Sequence, residues 1–327
     1  MRICVYGAGA VGGHLAGRLA KSGADVSLIA RGAHLAAIEK DGLRVETREG
    51  VLHSWPKATD DPKRLGPQDV VIVALKAPSL PQAAEGIGTL LRDDTLVLFA
   101  MNGIPWWYFH ANGGALDGTK LPRIDVDGIL WRTVRPERAI GTVAYTACTV
   151  TAPGVIHAEN PRNRLILGRP DGKADPHLQS LADAMLASGL EAEVTPKIRD
   201  AIWTKLLMNL TGGALAILTG FAMKEAFSDP AVAAAAAAMA REGAAIAKAL
   251  GCDPGDPEGG LARLSVSTHK QSILQDLERG RPMEVDAMLR VPLDLARLAK
   301  VSTPTLDLII GLAAQRARSA GLYAGQN

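Results

Sequence analysis

The chain has 327 residues, 47% of them hydrophobic and 21% charged, with a formal net charge of +2. That length suits two domains with a full core, and the composition is ordinary for a globular protein. A near-neutral balance without a basic block excludes the usual nucleic-acid binder.

Residues 1–12 read Met-Arg-Ile-Cys-Val-Tyr-Gly-Ala-Gly-Ala-Val-Gly, a short apolar run followed by Gly7-x-Gly9-x-x-Gly12. A buried strand feeding a glycine turn and then a helix is what a dinucleotide requires. Gly7 permits the tight turn, Gly9 lets backbone approach a pyrophosphate, and Gly12 lets helix and strand pack closely. The turn Gly7, Ala8, Gly9, Ala10, Val11 and Gly12 is therefore the candidate cofactor cradle, with the helix N-terminus turned toward the phosphates. Leu15, Ala16 and Leu19 continue at helical spacing, and Gly23 marks the stop. A second strand, 25–30, ends in Arg31-Gly32, with no acid until Glu39. NAD enzymes place a carboxylate there for the ribose 2′-hydroxyl, whereas a guanidinium matches a 2′-phosphate. Arg31 therefore points to NADP(H), the alternative being a solvated arginine at a strand end.

Next come a short helix over 33–41 and a hairpin from 43–47 and 50–55. The runs 69–75 and 95–101 are continuously apolar, as buried parallel strands are, with a helix over 81–91 between them. Residues 103–137 break this rhythm with a long loop that opens on Trp106-Trp107-Tyr108-Phe109. Those aromatics either wall a substrate pocket or pack the insertion onto its domain. β pattern returns over 139–151 and 154–168 around the Pro153-Gly154 turn, followed by a helix over 175–188 and a strand over 191–194. From Thr195 the chain is nearly all helix, expected over 197–218, 230–250, 261–279, 282–300 and 304–320. The expected fold is α/β: a doubly wound sheet domain over 1–194, then an all-helical domain over 195–327, with a ligand cleft between them.

Three cysteines, Cys4, Cys148 and Cys252, stand far apart and make no disulfide framework. Seven scattered histidines lack ligand spacing, so no metal site is expected. The opening strand leaves no room for a signal peptide, and no apolar stretch reads as a bilayer span. The expectation is a cytoplasmic protein with no membrane or nucleic-acid partner.

Lys76 and Asn102 directly follow two of the buried strands, at the carboxyl edge of the sheet, where they can reach a nicotinamide ribose or the substrate. Each is otherwise a solvated lysine or a turn-forming asparagine. In 202–210, Lys205 and Asn209 form an i, i+4 stripe that runs on through Gly212, Gly213 and Ala216 between bulky apolar residues. Such a stripe suits a cleft-lining helix where small residues let a ligand approach. A lysine among apolar neighbours is readied for proton transfer, the alternative being an exposed helical lysine. Glu284, after Gly280 and Pro282, suits the positive end of a new helix.

Together these pieces resemble the ketopantoate reductase (2-dehydropantoate 2-reductase) family across nearly the whole chain. The matching residues are the glycine turn, Arg31, Leu75-Lys76, Asn102-Gly103, Pro153-Gly154, Lys205-x-x-x-Asn209, Ser272-x-x-x-Asp276 and Gly280-Arg281-Pro282-x-Glu284. The resemblance implies a Rossmann-type NADPH-binding domain, a helical domain, and Lys205 as the catalytic acid. It also implies that Asn209 and Ser272 bind substrate, with Lys76, Asn102 and Glu284 at the nicotinamide end. Gly213 and Met223 stand where the family's substrate-binding pattern continues with asparagine. The expected activity is reduction of a 2-oxo acid, ketopantoate or a related compound. The alternatives are a β-hydroxyacid or opine-type dehydrogenase of the same plan, and a non-catalytic NADP-binding sensor. The expected partner is a small-molecule 2-oxo acid, with a homodimer allowed but not required.

Overall fold

Strands buried on both faces favour unbroken apolar runs, and the runs 69–75 and 95–101 become the central strands of a sheet. The computed structural model describes residues 1–159 and 163–325. Its strands are β1 (Arg2–Tyr6), β2 (Asp25–Ile29), β3 (Leu43–Thr47), β4 (Gly50–Ser54), β5 (Lys57–Thr59), β6 (Val70–Val73), β7 (Leu96–Phe99), β8 (Ala139–Tyr145), β9 (Cys148–Ala152), β10 (Val155–Ala158), β11 (Arg164–Gly168) and β12 (Glu191–Val194). The large sheet runs β12-β11-β8-β7-β6-β1-β2-β5 and is parallel except where β11 meets β8. The hairpin β3–β4 belongs to a second sheet, β4-β3-β10-β9, in which β3 and β10 pair in parallel. The expected β segment 154–168 includes residues 160–162, which lie outside the described residues.

Helices α1 (Ala10–Lys21), α2 (Gly32–Asp41), α3 (Leu80–Gly88), α4 (Ile129–Thr133) and α5 (Pro176–Ala187) complete the first half. α1 lies between the two sheets, with Leu15, Ala16 and Leu19 in one cluster with Ile3, Val5, Val45 and Ile156. Gly17 makes this approach possible, because a Cβ there would lie 2.5 Å from a Val45 methyl.

The second half holds α6 (Ile198–Thr219), α7 (Met223–Ala226), α8 (Pro230–Ala249), α9 (Pro257–Ser265), α10 (Ser272–Glu278), a π-turn (Asp286–Arg290), α11 (Val291–Leu298) and α12 (Pro304–Ser319). Two expected helices are corrected. The segment 261–279 divides into α9 and α10, because Val266-Ser-Thr-His-Lys-Gln271 between them is poor in helix formers. The segment 282–300 begins later, so Glu284 precedes the helix instead of lying in its first turn. The π-turn has a local cause. Pro292 brings no N–H and its ring crowds the carbonyl four residues back, and a widened turn ahead of it relieves both. α6 is long and apolar enough to cross a membrane, against expectation, but 67% of its apolar window is buried inside the protein.

The chain divides into two compact units. The first comprises Met1–Met101, Trp106–Lys120 and Asp125–Ile198, and the second comprises Asn102–Pro105, Leu121–Ile124 and everything from Arg199 on. Trp106, Trp107, Tyr108 and Phe109 are core of the first unit, each no more than 1% exposed. Trp106 meets Phe99 and Trp131 edge-on, and Trp107 lies so close to β8 that a Cβ on Gly141 would stand 2.8 Å from its ring. The aromatics therefore pack the insertion instead of walling a pocket.

Candidate active site

The glycine turn is built by backbone alone. Gly7 sits at φ +109°, and the Gly7 and Ala8 N–H groups both donate to the Ile29 carbonyl at 3.2 and 3.1 Å. Gly12 faces this turn so closely that a Cβ would lie 1.9 Å from the Gly7 oxygen. Gly9 differs, since a Cβ there would meet nothing within 4 Å. Packing within the protein does not explain that glycine, whereas an incoming ligand does. Gly9 is also the N-cap of α1, which has no side-chain cap and no acid in its first turn. Ala10 and Val11 form that turn, so the helix end keeps N–H donors for an anion. These residues fit a dinucleotide pyrophosphate. Arg31, the exposed N-cap of α2, has no carboxylate partner among the described residues. Lys76 stands three residues past β6, half-buried, as the cap of a short 3-10 turn.

In the second unit, side chains from three separate stretches converge. Lys205, on α6, donates from Nζ to Asn102 Oδ1 at 2.9 Å. Glu284 is buried, and its charge acts on the same amine. Loss of water pulls the Lys205 amine down from the usual lysine range to about 8, with Glu284 opposing the fall. Such an amine remains mostly protonated at neutral pH yet releases its proton readily, which suits a general acid.

Asn209 lies one helical turn beyond Lys205 and is half-buried, and Ser272 is the exposed first residue of α10. Their neighbourhood corrects one expectation. The small residues of the stripe admit protein, not an open ligand face. Gln271 would stand 3.4 Å from a Cβ on Gly212, and Ile273 would stand 3.3 Å from one on Gly213. A side chain at 213 would press on Ile273, which would have to give by a few tenths of an ångström. Met223, the other departure, is fully buried at the start of α7.

The structure thus brings Asn102, Lys205 and Glu284 together in one unit, whereas the glycine turn, Arg31 and Lys76 belong to the other. Sequence reasoning passed over Arg123, Asp286, Asp294 and Tyr323, a polar cluster of the second unit. Arg123 was hidden among the charges of a loop, and its partners are far along the chain. Among the described residues no group of His, Cys, Asp and Glu is arranged to hold a metal ion.

Comparison with known proteins agrees with this architecture. The family model described as ketopantoate reductase PanE/ApbA matches residues 3–108, and its C-terminal counterpart matches residues 197–317. A 2-dehydropantoate 2-reductase from Mesorhizobium japonicum is 43% identical, over 99% of this chain and 100% of its own. The crystal structure of a candidate ketopantoate reductase from Ralstonia solanacearum superposes with a TM-score of 0.91 at 38% identity, covering 98% of this chain and 99% of that one. A D-mandelate dehydrogenase solved with NADH and anilino(oxo)acetate shares the fold at a TM-score of 0.83 and 21% identity, covering 99% of this chain and 100% of its own. Two family models over most of the chain and a full-length relative at this identity leave one placement: the chain belongs to the ketopantoate reductase family, the pyridine-nucleotide-dependent oxidoreductases that reduce 2-oxo acids.

Proposed function

We propose that the chain reduces a 2-oxo acid, ketopantoate or a close relative, with NADPH, and that Lys205 is the general acid. The observation that carries this reading is the dehydrated Lys205 amine, aimed by Asn102 at 2.9 Å and kept charged by Glu284. The dihydronicotinamide, when bound, supplies the hydride to the carbonyl carbon.

The residues of the chain do the rest. Lys205 gives its proton to the carbonyl oxygen, and before that its positive charge stabilises the oxygen as negative charge builds there. The Asn102 oxygen accepts from the ammonium and fixes its direction. Asn209 and Ser272 orient the substrate's polar groups. In the first unit, read here as the nucleotide-binding domain, the turn Gly7–Gly12 receives the pyrophosphate. Arg31 pairs with the 2′-phosphate, and Lys76 supports the nicotinamide end.

A related 2-oxo acid in place of ketopantoate is favoured by one observation. Ile273 occupies the space beside Gly213, so no polar side chain stands there. A homodimer rests on the resemblance alone, and sedimentation of the purified protein decides it. None of the three cysteines is in a disulfide, which suits a cytoplasmic setting.

The test is turnover of a panel of 2-oxo acids with NADPH and NADH, in wild type and Lys205→Ala. NADPH should be preferred. The variant should lose roughly 10²–10⁴-fold in kcat and keep its NADPH affinity within a few-fold. Near-normal turnover in Lys205→Ala removes the lysine from the chemistry. Nucleotide binding without turnover of any acid would make the protein a sensor.

A further inference from the structure

Both neighbours that set the state of Lys205 hang from one stretch of chain around the π-turn. The Ile104 N–H donates to the Ala287 carbonyl at 2.9 Å, which anchors the segment carrying Asn102. Gly103, at φ +86°, lets that segment come so close that a Cβ would stand 2.3 Å from the same carbonyl oxygen. Glu284 lies two residues before the turn, and its own carbonyl accepts from the Met288 N–H at 3.1 Å. A π-turn is a rare backbone form; Pro292 favours a widened turn ahead of it, and the side chains tied to it bear on the register it takes.

The polar cluster supplies those side chains. Asp286 opens the turn and accepts from the Tyr323 hydroxyl at 2.6 Å. Arg123 stands 3.6 Å from Asp286 and grips Asp294, in α11, with two donors at 2.7 and 3.4 Å. One guanidinium therefore ties the start of the π-turn to the helix beyond it. Arg290 also faces Asp286, and the Arg318 guanidinium lies over the Tyr323 ring at 5.5 Å.

We propose that Arg123, Asp286 and Tyr323 are positioning residues for the reaction, holding the π-turn in the one register that keeps Asn102 and Glu284 beside Lys205. The proposal rests on the reading of Lys205 as the acid. None of the three needs to touch substrate, because they act through the turn. Burial and the neighbouring Asp286 push the Tyr323 phenol up to about 12, so its hydroxyl keeps the proton it donates, while burial raises the Asp286 carboxyl above its usual range.

The experiment uses Tyr323→Phe, which removes one hydroxyl and keeps the ring, with Asp286→Asn as the stronger variant. The apparent pKa of Lys205 is read from the pH dependence of its acetylation by acetic anhydride, followed by mass spectrometry, beside pH profiles of kcat. Both variants should lower kcat by about tenfold or more. They should also move the Lys205 titration and the alkaline limb of kcat to lower pH, since Asn102 and Glu284 both favour the ammonium. KM for NADPH should stay within about twofold. If Tyr323→Phe only lowers thermal stability, with the Lys205 titration and kcat at wild-type values, the cluster is structural and the proposal fails. The labelling reports on Lys205 whether or not it is the acid. A fully active Lys205→Ala would therefore overturn the catalytic reading, while an unmoved Lys205 titration in Tyr323→Phe would overturn the positioning.

Discussion

The glycine turn of the first unit and the lysine site of the second are built from opposite materials. The turn is backbone folded against backbone, and a single methyl at Gly12 would drive into the Gly7 oxygen. The lysine site is three side chains carried in from around 102, 205 and 284, and its central member costs the fold something because it is dehydrated. The first should therefore fail as structure when altered, and the second should fail as chemistry while the fold stands.

The largest effect expected from this contrast is that of Gly12→Ala. With the ideal Cβ 1.9 Å from a backbone oxygen, either strand or helix must move. A loss of about 3 kcal/mol or more is expected, at the upper end for single substitutions. A variant with the wild-type urea midpoint would mean that the turn is looser than described. Lys205→Met sharpens the other side. Its stability at pH 7 should be no lower than wild type, although turnover collapses. The folded-state pKa of Lys205 lies near 8, below the unfolded value of 10.5. The unfolded chain thus binds the extra proton between those values. Wild type should gain stability over Lys205→Met as pH rises from about 8 toward 10.5, by at most about 3 kcal/mol. Denaturant titrations at pH 7, 8.5 and 10 test the sign, and a gap that widens in favour of the variant would contradict it.

Two smaller effects concern the nucleotide. Arg31→Ala should weaken NADPH binding by about 1.5–3 kcal/mol, the worth of a charge-assisted contact, and leave NADH nearly unchanged. Equal losses for both would take Arg31 off the 2′-phosphate. Gly9→Ala is the subtlest, because the new methyl points into open space. Stability should fall by no more than about 1 kcal/mol, the difference between glycine and alanine as an N-cap, while affinity for both nucleotides falls. Calorimetry with a thermal melt separates these, and a destabilised variant of normal affinity would make Gly9 a packing residue like Gly12.

How much could be read beforehand follows the same divide. β1, β2, β6 and β7 were legible because a strand buried on both faces cannot hide its apolar run, and the glycine turn is contiguous in sequence. β5, three residues at the sheet edge, carries no pattern of its own. The second sheet depends on a parallel pairing of β3 with β10, segments joined by no local signal. The break between α9 and α10 did have a signal, the β-branched and short polar residues of 266–271, which an unbroken helical expectation overrode. The aromatic run 106–109 was visible, but whether it walled a pocket or filled a core depended on Gly141 and Trp131, distant neighbours that decided for the core. Lys205 stood out for its stripe. Its hydrogen bond to Asn102 spans 103 positions and left no signal in the sequence, where the family resemblance put Asn102 only at the nicotinamide end. The stripe's small residues suggest room for a ligand, but Gln271 and Ile273 pack against them, and neither neighbour is close in sequence.

The interleaving of the two units has a consequence for how the protein is made. Asn102–Pro105 and Leu121–Ile124 leave the ribosome early, yet their partners Ala287, Asp286 and Asp294 lie in the last eighth of the chain. At ~5–20 residues per second, Ile104 waits roughly 10–40 s for the carbonyl that will accept its N–H. Throughout that interval both segments lack the backbone and ion-pair partners that the last eighth of the chain supplies, although Lys205 is made earlier and can already reach Asn102. Translation of the final stretch is then the step at which the backbone carrying Asn102 gains its hydrogen bond to Ala287.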